Sequence, residues 1–389
     1  MTWLRSPTAR AALISQAKDL ITSLQTPQQH VLQLSSDAVS LIALRTIMRI
    51  GVLEALPMSG SISLLNLAEA TSCQTSLLSR LLRVLVGNRF LSQDGEGGYS
   101  HTDISRGYLG QAGVWFTDNL YQPVLEALFQ FPLGCMDAET EKLRADGYRF
   151  AEPDDTRHNP RVWAWGRGGE NIWDIFAKEH PEAMGKFQQG IGMVGDNVPV
   201  TGVYDFGKLS AGNDDGERKV LVDVGGGIGQ CLCEIVRVHP EIAASRCVLQ
   251  EQAPLIALAS QNPSLPPDIL KMPHDFWTLQ HIKGAKAYFM RWILHDYSDS
   301  AATKILQHIV AAMAPDSRVL ISEVVVPERL NEESMLVGTM DMFMLVIGGK
   351  ERTLGELEVG RVGRVGLRIG RVWSTGGGAC RCTVEAVLG

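Results

Sequence analysis

The sequence predicts two kinds of folded domain. One is a helical N-terminal domain of winged-helix type, and the other is an α/β domain with a doubly wound, mostly parallel sheet. Apolar residues recur at helical spacing from Ala11 to about Leu56. Two short helical segments then precede a glycine-rich hairpin pattern at 90–101. After about Val203, apolar runs of strand length alternate with helical segments, as a parallel sheet covered on both faces requires.

Length and composition place these domains in one globular chain. Its 389 residues exceed the usual length of one domain. We expect a winged-helix region at 1–125, a connecting helical region at 126–200 and the α/β domain at 201–389. Hydrophobic residues make up 45% and charged residues 20% of the chain, which excludes a disordered or collagen-like protein.

The N-terminal pattern consists of a helical start interrupted near Pro27, short helices at 63–70 and 76–86, and a hairpin in "FLSQDGEGGYSH". Its leucine-rich helix faces need more burial than a domain of about 100 residues can provide alone. We therefore expect a homodimer formed through the N-terminal helices.

Charge and cysteine content exclude several classes of partner. The formal charge of −7 disfavours nucleic acid. The seven cysteines are odd in number and scattered, which is typical of reduced thiols in a cytoplasmic protein. The C-x-C pairs at 231/233 and 380/382 lack the spacing of a zinc site, so we expect no metal. The sequence has no run of 18 apolar residues, and we expect neither a signal peptide nor a membrane partner.

The segment "VLVDVGGGIGQ" is a candidate ligand-binding loop. Asp223, Gly225, Gly227 and Gly229 alternate directly after an apolar strand and before a helical stretch. Glycines there let the backbone approach a ligand closely and turn into a helix N-terminus. The Asp223 carboxylate disfavours a pyrophosphate, and the third glycine falls one residue early for a dinucleotide fingerprint. The pattern favours S-adenosylmethionine, which carries ammonium and sulfonium groups, over NAD.

Two later segments extend this candidate site. Glu251 ends the next strand pattern, "RCVLQE", where an acidic side chain can bind a ribose diol. Asp275 and Phe276 in "MPHDFW" offer a carboxylate and a ring suited to adenine. Each residue also has a structural alternative, either a solvated acid or an Asp turn beside a core Phe. Their order along the chain favours a cofactor site.

The chain resembles the plant-type and fungal class of S-adenosylmethionine-dependent O-methyltransferases that act on phenols and polyketides. The resemblance is carried by the N-terminal segments "LLSRLLRVLVGNRFL" and "YSHTDISRGYL" and by five later motifs. These motifs are "DVGGGIGQ", "HDFW", "YFMRWILHDYSD", "ISEVVVPE" and "GGKERT".

The resemblance implies a role for individual residues. It makes His295 the general base, flanked by Glu323 and Glu351. It places the small aromatic acceptor against Phe187 and Ile191, near Met184 or Val194, and against Asp296. The residues it assigns to the cofactor are Asp223, Gly225, Gly226, Gly227, Glu251, Asp275, Phe276, Arg291 and Trp292.

The proposed base can be tested against ordinary pKa values. A phenol near ~10 and a histidine near ~6.5 differ by about 3.5 units, so complete proton transfer would cost about 5 kcal/mol. We therefore expect proton removal to accompany methyl transfer, with carboxylates stabilising the imidazolium. A metal site at His295, Asp296 and Asp299 is disfavoured, because adjacent side chains at a strand end point apart.

Two further segments carry weaker signals. Trp163, Trp165 and Trp173 stand in a polar stretch and are candidates for the wall of an aromatic pocket. Glycines at 360, 363 and 366 each disfavour a helix by about 1 kcal/mol. We expect a weak or irregular element at 357–367.

Two other functions stay open. An enzyme of the same fold can bind S-adenosylmethionine and catalyse a non-methylating step such as a pericyclic reaction, for which a base like His295 is unnecessary. A winged-helix regulator is the other alternative. Its recognition helix would be 75–86, where Arg80 and Arg83 stand among many leucines, and so apolar a face disfavours DNA.

Overall fold

The computed structural model describes residues 7–110, 152–153, 156–179, 200–210, 216–330, 334–358, 362–374 and 381–389. They belong to two compact units. The first contains the described residues through 110, and the second contains those from 152 onward. The three regions expected from the sequence stay a prediction.

The N-terminal unit contains the helices and the hairpin that the sequence predicts. Thr26 caps the second helix, because its side chain accepts a hydrogen bond from the Gln29 backbone N–H and Pro27 starts the first turn. The strands pair antiparallel, with Leu91 opposite His101. The elements are α1 (Pro7–Leu24), α2 (Pro27–Arg49), α3 (Val52–Ala55), α4 (Leu64–Ala70), α5 (Thr75–Gly87), β1 (Leu91–Gln93), β2 (Tyr99–His101) and α6 (Asp103–Arg106).

The core of this unit is built from one face of α5 and the end of α2. Leu78, Leu82 and Leu85 repeat at helical spacing and are fully buried together with Ile47. By length and composition alone, α2 could cross a membrane, but its inner face packs in this core. The outer faces of α1 and α2 expose apolar side chains, namely Leu13, Ile14, Leu20, Ile21, Leu24, Val31, Leu32, Leu34, Val39 and Ile42.

The second unit contains a sheet with the strand order β5-β4-β3-β6-β7-β9-β8. Strands β3 to β7 run parallel, whereas β9 pairs antiparallel with β7 and β8. The predicted doubly wound, mostly parallel sheet is confirmed. The elements are α7 (Pro160–Ala164), α8 (Ile172–Glu179), β3 (Leu221–Val224), α9 (Gln230–Val238), β4 (Cys247–Glu251), α10 (Ala253–Ala259), β5 (Leu270–Pro273), β6 (Ala287–Arg291), α11 (Asp299–Val310), β7 (Arg318–Val324), α12 (Met335–Ile347), α13 (Leu354–Leu357), β8 (Leu367–Ser374) and β9 (Arg381–Leu388).

Alternating side chains bury both faces of the sheet. Val222 and Tyr288 belong to one hydrophobic core, and their neighbours Leu221 and Phe289 belong to the other. Because β3, β4, β5 and β6 run parallel, the residues that follow them leave the sheet at one common edge, where ligands of open α/β sheets bind. This edge carries the motifs singled out in the sequence.

The glycine-rich segment after α13 is irregular where the structure describes it. Helix α13 ends at Leu357, and one 3-10 turn spans Gly363–Val365. Gly366 then adopts a φ of +79°, which only glycine tolerates easily, and β8 begins. In the described part of 357–367, the structure agrees with the predicted irregular element.

Candidate active site

The glycine loop turns sharply between β3 and α9. Gly225, Gly227 and Gly229 have φ values of +73°, +59° and +87°, in the left-handed region that favours glycine. A β-carbon added at Gly225 would also lie 2.6 Å from Ile293 Cδ1. The loop therefore needs glycine for its conformation and for its contact with the segment that follows β6.

Asp223 lies beneath this loop. The sequence placed it at the end of the strand, but it lies within β3, opposite Leu249 and Phe289, and is 1% exposed. A β-carbon added at Gly226 would lie 2.5 Å from Asp223 Oδ2. Burial, followed by the charge of Glu251, raises the pKa of Asp223 to about 7. Within the described residues, Asp223 Oδ2 has no hydrogen-bond partner, so a donor from a ligand would satisfy it.

Glu251 closes the other side of the loop. Its Oε2 accepts a hydrogen bond from the Gly227 N–H at 3.1 Å, and its Oε1 accepts one from the Gln252 N–H at 2.7 Å. Each carboxylate oxygen has a second lone pair for a ligand hydroxyl. Burial raises the pKa of this carboxyl. Glu251 and the glycine loop thus form one connected structure, as the cofactor prediction requires.

Asp275 and Phe276 follow β5 at the same edge. The Asp275 carboxylate accepts a hydrogen bond from the Trp277 N–H at 3.0 Å, which is the Asp turn of the structural alternative. The Phe276 ring lies beside Gly225 and makes an edge contact with Tyr297, with ring centroids 5.8 Å apart. Phe276 therefore connects the glycine loop with the segment that carries His295.

Arg291 and Trp292 lie where β6 ends. The Arg291 guanidinium lies over the Trp292 ring, 4.6 Å from its centroid. Trp292 has a φ of +54°, which is a strained conformation for a bulky residue. This left-handed residue ends the strand and turns the chain toward His295.

His295 lies in a 3-10 turn (Leu294–Asp296), not at a strand end as the sequence suggested. Its Nδ1 lies 2.8 Å from Glu351 Oε1, and its backbone N–H donates to Glu323 Oε1 at 3.1 Å. Its Nε2 lies 3.5 Å from Asp296 Oδ1. The structure therefore brings together the three residues of the predicted triad, and Asp296 with them.

The argument from diverging side chains against a metal at His295 was wrong, because the turn directs the His295 and Asp296 side chains toward each other. Across the residues that the structure describes, no group of three His, Cys, Asp or Glu side chains is placed to hold a metal ion.

The carboxylates around His295 dominate its electrostatics. Burial lowers the pKa of His295, but the charges of Glu351, Asp296 and Glu323 and the hydrogen bond to Glu351 together outweigh burial and raise that pKa to about 10. Burial raises the pKa of Asp296 to about 6 and also raises the pKa of Glu323. At neutral pH the imidazole therefore holds two protons, and it must lose one before it can act as a base.

The predicted acceptor residues are only partly covered by the structure. Phe187 and Ile191 lie outside the described residues, as do Met184 and Val194. Trp163 is 42% exposed, Trp165 lies under the Arg161 guanidinium, and Trp173 packs against two hydrophobic cores. Trp173 is therefore less exposed than its polar surroundings suggest, and the role of these tryptophans in an acceptor pocket stays a prediction.

Several residues that contact the His295 turn were not predicted from the sequence. Asp341 of α12 accepts a hydrogen bond from the Glu351 N–H at 2.9 Å. Gly349 packs against the His295 carbonyl, and Arg352 is buried beside it. The motif "GGKERT" contains Gly349 and Arg352, but only its glutamate received a role from the resemblance.

Fold and site together define a methyltransferase with a Rossmann-like domain. Residues 208–359 match an O-methyltransferase domain, and residues 32–111 match an O-methyltransferase dimerisation domain. The chain is 32% identical to O-methyltransferase kntB of Aspergillus niger over 98% of this chain and 88% of that protein. It is 30% identical to O-methyltransferase afvC of Aspergillus flavus over 90% of this chain and 82% of that protein. The chain belongs to the O-methyltransferase family.

Solved structures support the fold alone. OxaC matches with a TM-score of 0.83 and 24% identity over 100% of this chain and 96% of that chain. A protein described as a pericyclic reaction enzyme matches with a TM-score of 0.80 and 23% identity over 100% of this chain and 97% of that chain. A shared fold does not by itself identify the reaction.

S-adenosylmethionine is the cofactor of the methyltransferase family to which the chain belongs, as the sequence predicted. The residues present fit this cofactor. The loop glycines leave room for a close backbone approach, and the buried Asp223 Oδ2 lacks a donor within the described residues.

Proposed function

We propose that the protein methylates a phenolic or enolic hydroxyl of an aromatic, polyketide-type metabolite, with His295 as general base. The observation that carries this proposal is the contact between two sites. Ile293 packs against Gly225 of the glycine loop, and two residues later His295 meets Glu351 and Asp296. The short segment 293–295 therefore contacts the candidate donor site through Ile293 and carries the candidate base, His295.

The cofactor would be held at the sheet edge. Asp223 and Glu251 would bind its polar groups, and Phe276 would contact its adenine. The further residues we propose for this site are Gly225, Gly226, Gly227, Asp275, Arg291 and Trp292. When bound, S-adenosylmethionine supplies an electrophilic methyl group carried on a sulfonium.

His295 would take the proton of the acceptor hydroxyl on Nε2. An ionised carboxylate can only accept hydrogen bonds, so Glu351 holds the proton on Nδ1 and leaves Nε2 for the acceptor. Asp296 lies beside Nε2 and would bind the acceptor or stabilise the imidazolium. Glu323 fixes the backbone of the turn through the His295 N–H.

The raised pKa of His295 changes the energetics expected from the sequence. A base with a pKa of about 10 matches an ordinary phenol, so proton transfer to a neutral His295 costs little free energy. The same carboxylates keep most of the imidazole protonated at neutral pH. Loss of that proton therefore limits the active fraction, whereas proton transfer does not.

The acceptor class is supported by the apolar character of α12, whose "MFMLVI" end packs near the His295 turn. Half-exposed Phe343, Met344 and Ile347 are suited to an aromatic ligand. Solved complexes of OxaC hold S-adenosylhomocysteine with oxaline, and that chain is 25% identical to this one. Curated relatives in fungi are likewise O-methyltransferases.

The test is a reaction of the purified protein with S-adenosylmethionine and a panel of phenolic polyketides. We expect S-adenosylhomocysteine and a product heavier by one methylene, and we expect both to be strongly reduced in His295→Gln. If no acceptor in a broad panel gives either product, the proposal is wrong.

The second candidate function is a pericyclic reaction on the same fold. It is compatible with the fold, which a pericyclic reaction enzyme shares, and is opposed by the carboxylate-flanked His295. The same assay separates the two functions, because a pericyclic step changes the substrate without releasing S-adenosylhomocysteine or adding mass.

We also propose that the enzyme is a cytoplasmic homodimer. The match to a dimerisation domain and the exposed apolar faces of α1 and α2 support the dimer. The described cysteines Cys73, Cys231, Cys233, Cys247 and Cys382 are free thiols, which supports the compartment.

A further inference from the structure

We propose that Arg352 is a positioning residue for His295, because its side chain hydrogen-bonds the backbone on both sides of His295 in the 3-10 turn Leu294–Asp296. The activity part of this inference rests on the proposed function. The structural part concerns only the geometry of the His295 ring and stands independently of the reaction.

The Arg352 guanidinium binds both ends of the turn. Its Nη1 donates to the Leu294 carbonyl at 3.1 Å, and its Nη2 donates to the Tyr297 carbonyl at 2.5 Å. Nη1 also donates to the Lys350 carbonyl, and Nε donates to Asp299 Oδ1 at 3.1 Å. One side chain thus joins the residues before and after His295 to the segment that carries Glu351.

The burial of Arg352 indicates why an arginine is needed there. The side chain is only 2% exposed, and such a buried charge is costly unless each guanidinium nitrogen has a hydrogen-bond partner. Arg352 meets this need with three backbone carbonyls and one carboxylate. A lysine offers a single point charge on a flexible stem, which cannot reach carbonyls on both ends of the turn at once.

The neighbours of Arg352 contact the same turn. The Lys350 N–H donates to the His295 carbonyl at 2.7 Å, and a β-carbon at Gly349 would lie 2.2 Å from that oxygen. Glu351 binds the His295 ring itself. Residues 349–352 therefore contact the turn through backbone and side chains together, and a change at Arg352 alters the distance between Nδ1 and Glu351.

The charge of Arg352 has a second effect. Burial lowers the pKa of Arg352, whereas the nearby carboxylates Glu323, Asp299 and Glu351 raise it. In turn, the Arg352 charge opposes the rise in the pKa of Glu323 that burial causes. Arg352 therefore helps to keep ionised the Glu323 carboxylate, which accepts a hydrogen bond from the His295 N–H.

The experiment compares Arg352→Lys and Arg352→Met with the matched control Arg218→Lys. The Arg218 guanidinium also binds a backbone carbonyl and a carboxylate, Gly284 and Asp316, but it does so at the amino ends of β3 and β6. Three quantities are measured on each full-length protein: thermal unfolding, kcat and cofactor Kd with a confirmed phenolic acceptor, and the downfield proton NMR signal of the His295 Nδ1–H. The signal is assigned by its absence in His295→Gln.

We expect Arg352→Lys to lower kcat by about 10- to 100-fold while cofactor Kd stays within about twofold, because a small misplacement of a reacting group is costly. We also expect the His295 Nδ1–H signal of Arg352→Lys to shift or broaden. Arg218→Lys should match the wild type in kcat and in this signal. Should Arg352→Met fail to fold, Arg352→Lys decides the test.

An unchanged His295 signal with wild-type kcat in Arg352→Lys would overturn the inference. So would a loss of activity that matches only the loss of folded protein and occurs equally in Arg218→Lys. If no acceptor is ever methylated, the NMR comparison still decides the positioning role, and the failure belongs to the proposed function alone.

Discussion

His295 Nδ1 and Glu351 Oε1 lie 2.8 Å apart although 56 residues separate them in the chain. The Glu351 N–H in turn donates to Asp341 of α12. The histidine, the carboxylate and the apolar helix beside them therefore form one hydrogen-bonded chain. This relationship makes the orientation of the imidazole depend on several elements of the second unit.

The first prediction concerns pH. The pKa of His295 is raised to about 10, so the neutral, basic form of the ring increases as the pH rises from 7 toward 10. We expect kcat to rise over this window. Glu351→Gln removes one negative charge beside the ring, so its kcat should level off at a lower pH. The measurement is the pH profile of kcat in both proteins at saturating cofactor.

Glu356→Gln is the control for that profile, because Glu356 is a carboxylate that pairs with Lys350 and does not contact His295. Its profile should follow the wild type. A flat wild-type profile between pH 7 and 10 would contradict the assigned electrostatics.

Folding stability should show the same linkage. A histidine in the unfolded chain has a pKa of about 6.5. Below that pH, the interaction of protonated His295 with its carboxylates contributes fully to the free energy of unfolding. This contribution is lost as the pH rises through the folded pKa of about 10. Denaturant unfolding at several pH values should show a smaller alkaline loss of stability in His295→Gln than in the wild type. Equal losses would show that the pKa of His295 is not raised.

The second prediction concerns the cofactor loop. Gly225→Ala adds a β-carbon 2.6 Å from Ile293 Cδ1 at a φ of +73°. Such strain costs about 1–3 kcal/mol, and the loop should move away from its binding conformation. Calorimetry should show a cofactor affinity at least about tenfold weaker, since about 1.4 kcal/mol corresponds to a factor of ten.

Gly284→Ala is the matched control, because Gly284 also has a positive φ, +65°, but meets only Ala314 at 3.8 Å. It should lose stability and keep its affinity for the cofactor. The proposed cofactor site would be refuted by tight binding to Gly225→Ala.

Much of this site could be predicted from the sequence because the carboxyl ends of parallel strands share one edge. The glycine loop follows one recognisable apolar strand and Glu251 ends the next, so their order along the chain was sufficient to bring them together. Phe276 follows the short strand β5, whose sequence, LKMP, is not an apolar run. The apolar run through "FMRWIL" also reads as strand, but β6 ends at Arg291. The left-handed Trp292 ends it, and a backbone angle of this kind leaves no mark in a hydrophobic pattern.

Buried charged residues whose hydrogen-bond partners lie far away in sequence were the hardest to predict. Arg352 is a charged residue in a polar motif, and composition gives no reason to place it in the interior. Its burial follows from carbonyls that are far away in sequence, at Leu294 and Tyr297. Trp173 is the opposite case, because its polar neighbours suggested exposure while its ring packs against two cores.

The third prediction concerns the contact between Gly349 and the His295 turn. Gly349→Ala places a β-carbon 2.2 Å from the His295 carbonyl, so the turn or residues 348–350 must move. We expect kcat to fall by about tenfold or more with cofactor affinity unchanged, since the atoms nearest to the added β-carbon belong to His295 and Asp296. Gly355→Ala, in α13, should behave as the wild type, because its added β-carbon would meet only Thr353 Oγ1, at 3.9 Å. Equal activity of the two variants would show that the turn tolerates displacement.

The fourth prediction concerns assembly. The exposed leucines and isoleucines of α1 and α2 need burial, so light scattering at micromolar concentration should give the mass of a dimer. Replacing Leu20 and Leu24 by glutamate should shift the mass toward the monomer. The same change at Leu258 and Leu279, which are exposed on the second unit, should leave the dimer intact. A monomeric wild type would refute the proposed assembly.

The last prediction concerns His295 itself. His295→Ala removes the base but leaves the glycine loop, Glu251 and Phe276 in place. We expect cofactor binding close to that of the wild type and methyl transfer slower by about 10²- to 10⁴-fold, as is typical for loss of a general base. The deficit should be smaller for more acidic phenols, because they ionise without help. A series of ring-substituted analogues of one confirmed acceptor therefore gives the sharpest measurement, since a steeper dependence on acceptor pKa in His295→Ala identifies the missing proton transfer. A uniform loss across the series would assign His295 to positioning, and equal turnover by both proteins would reject the base role.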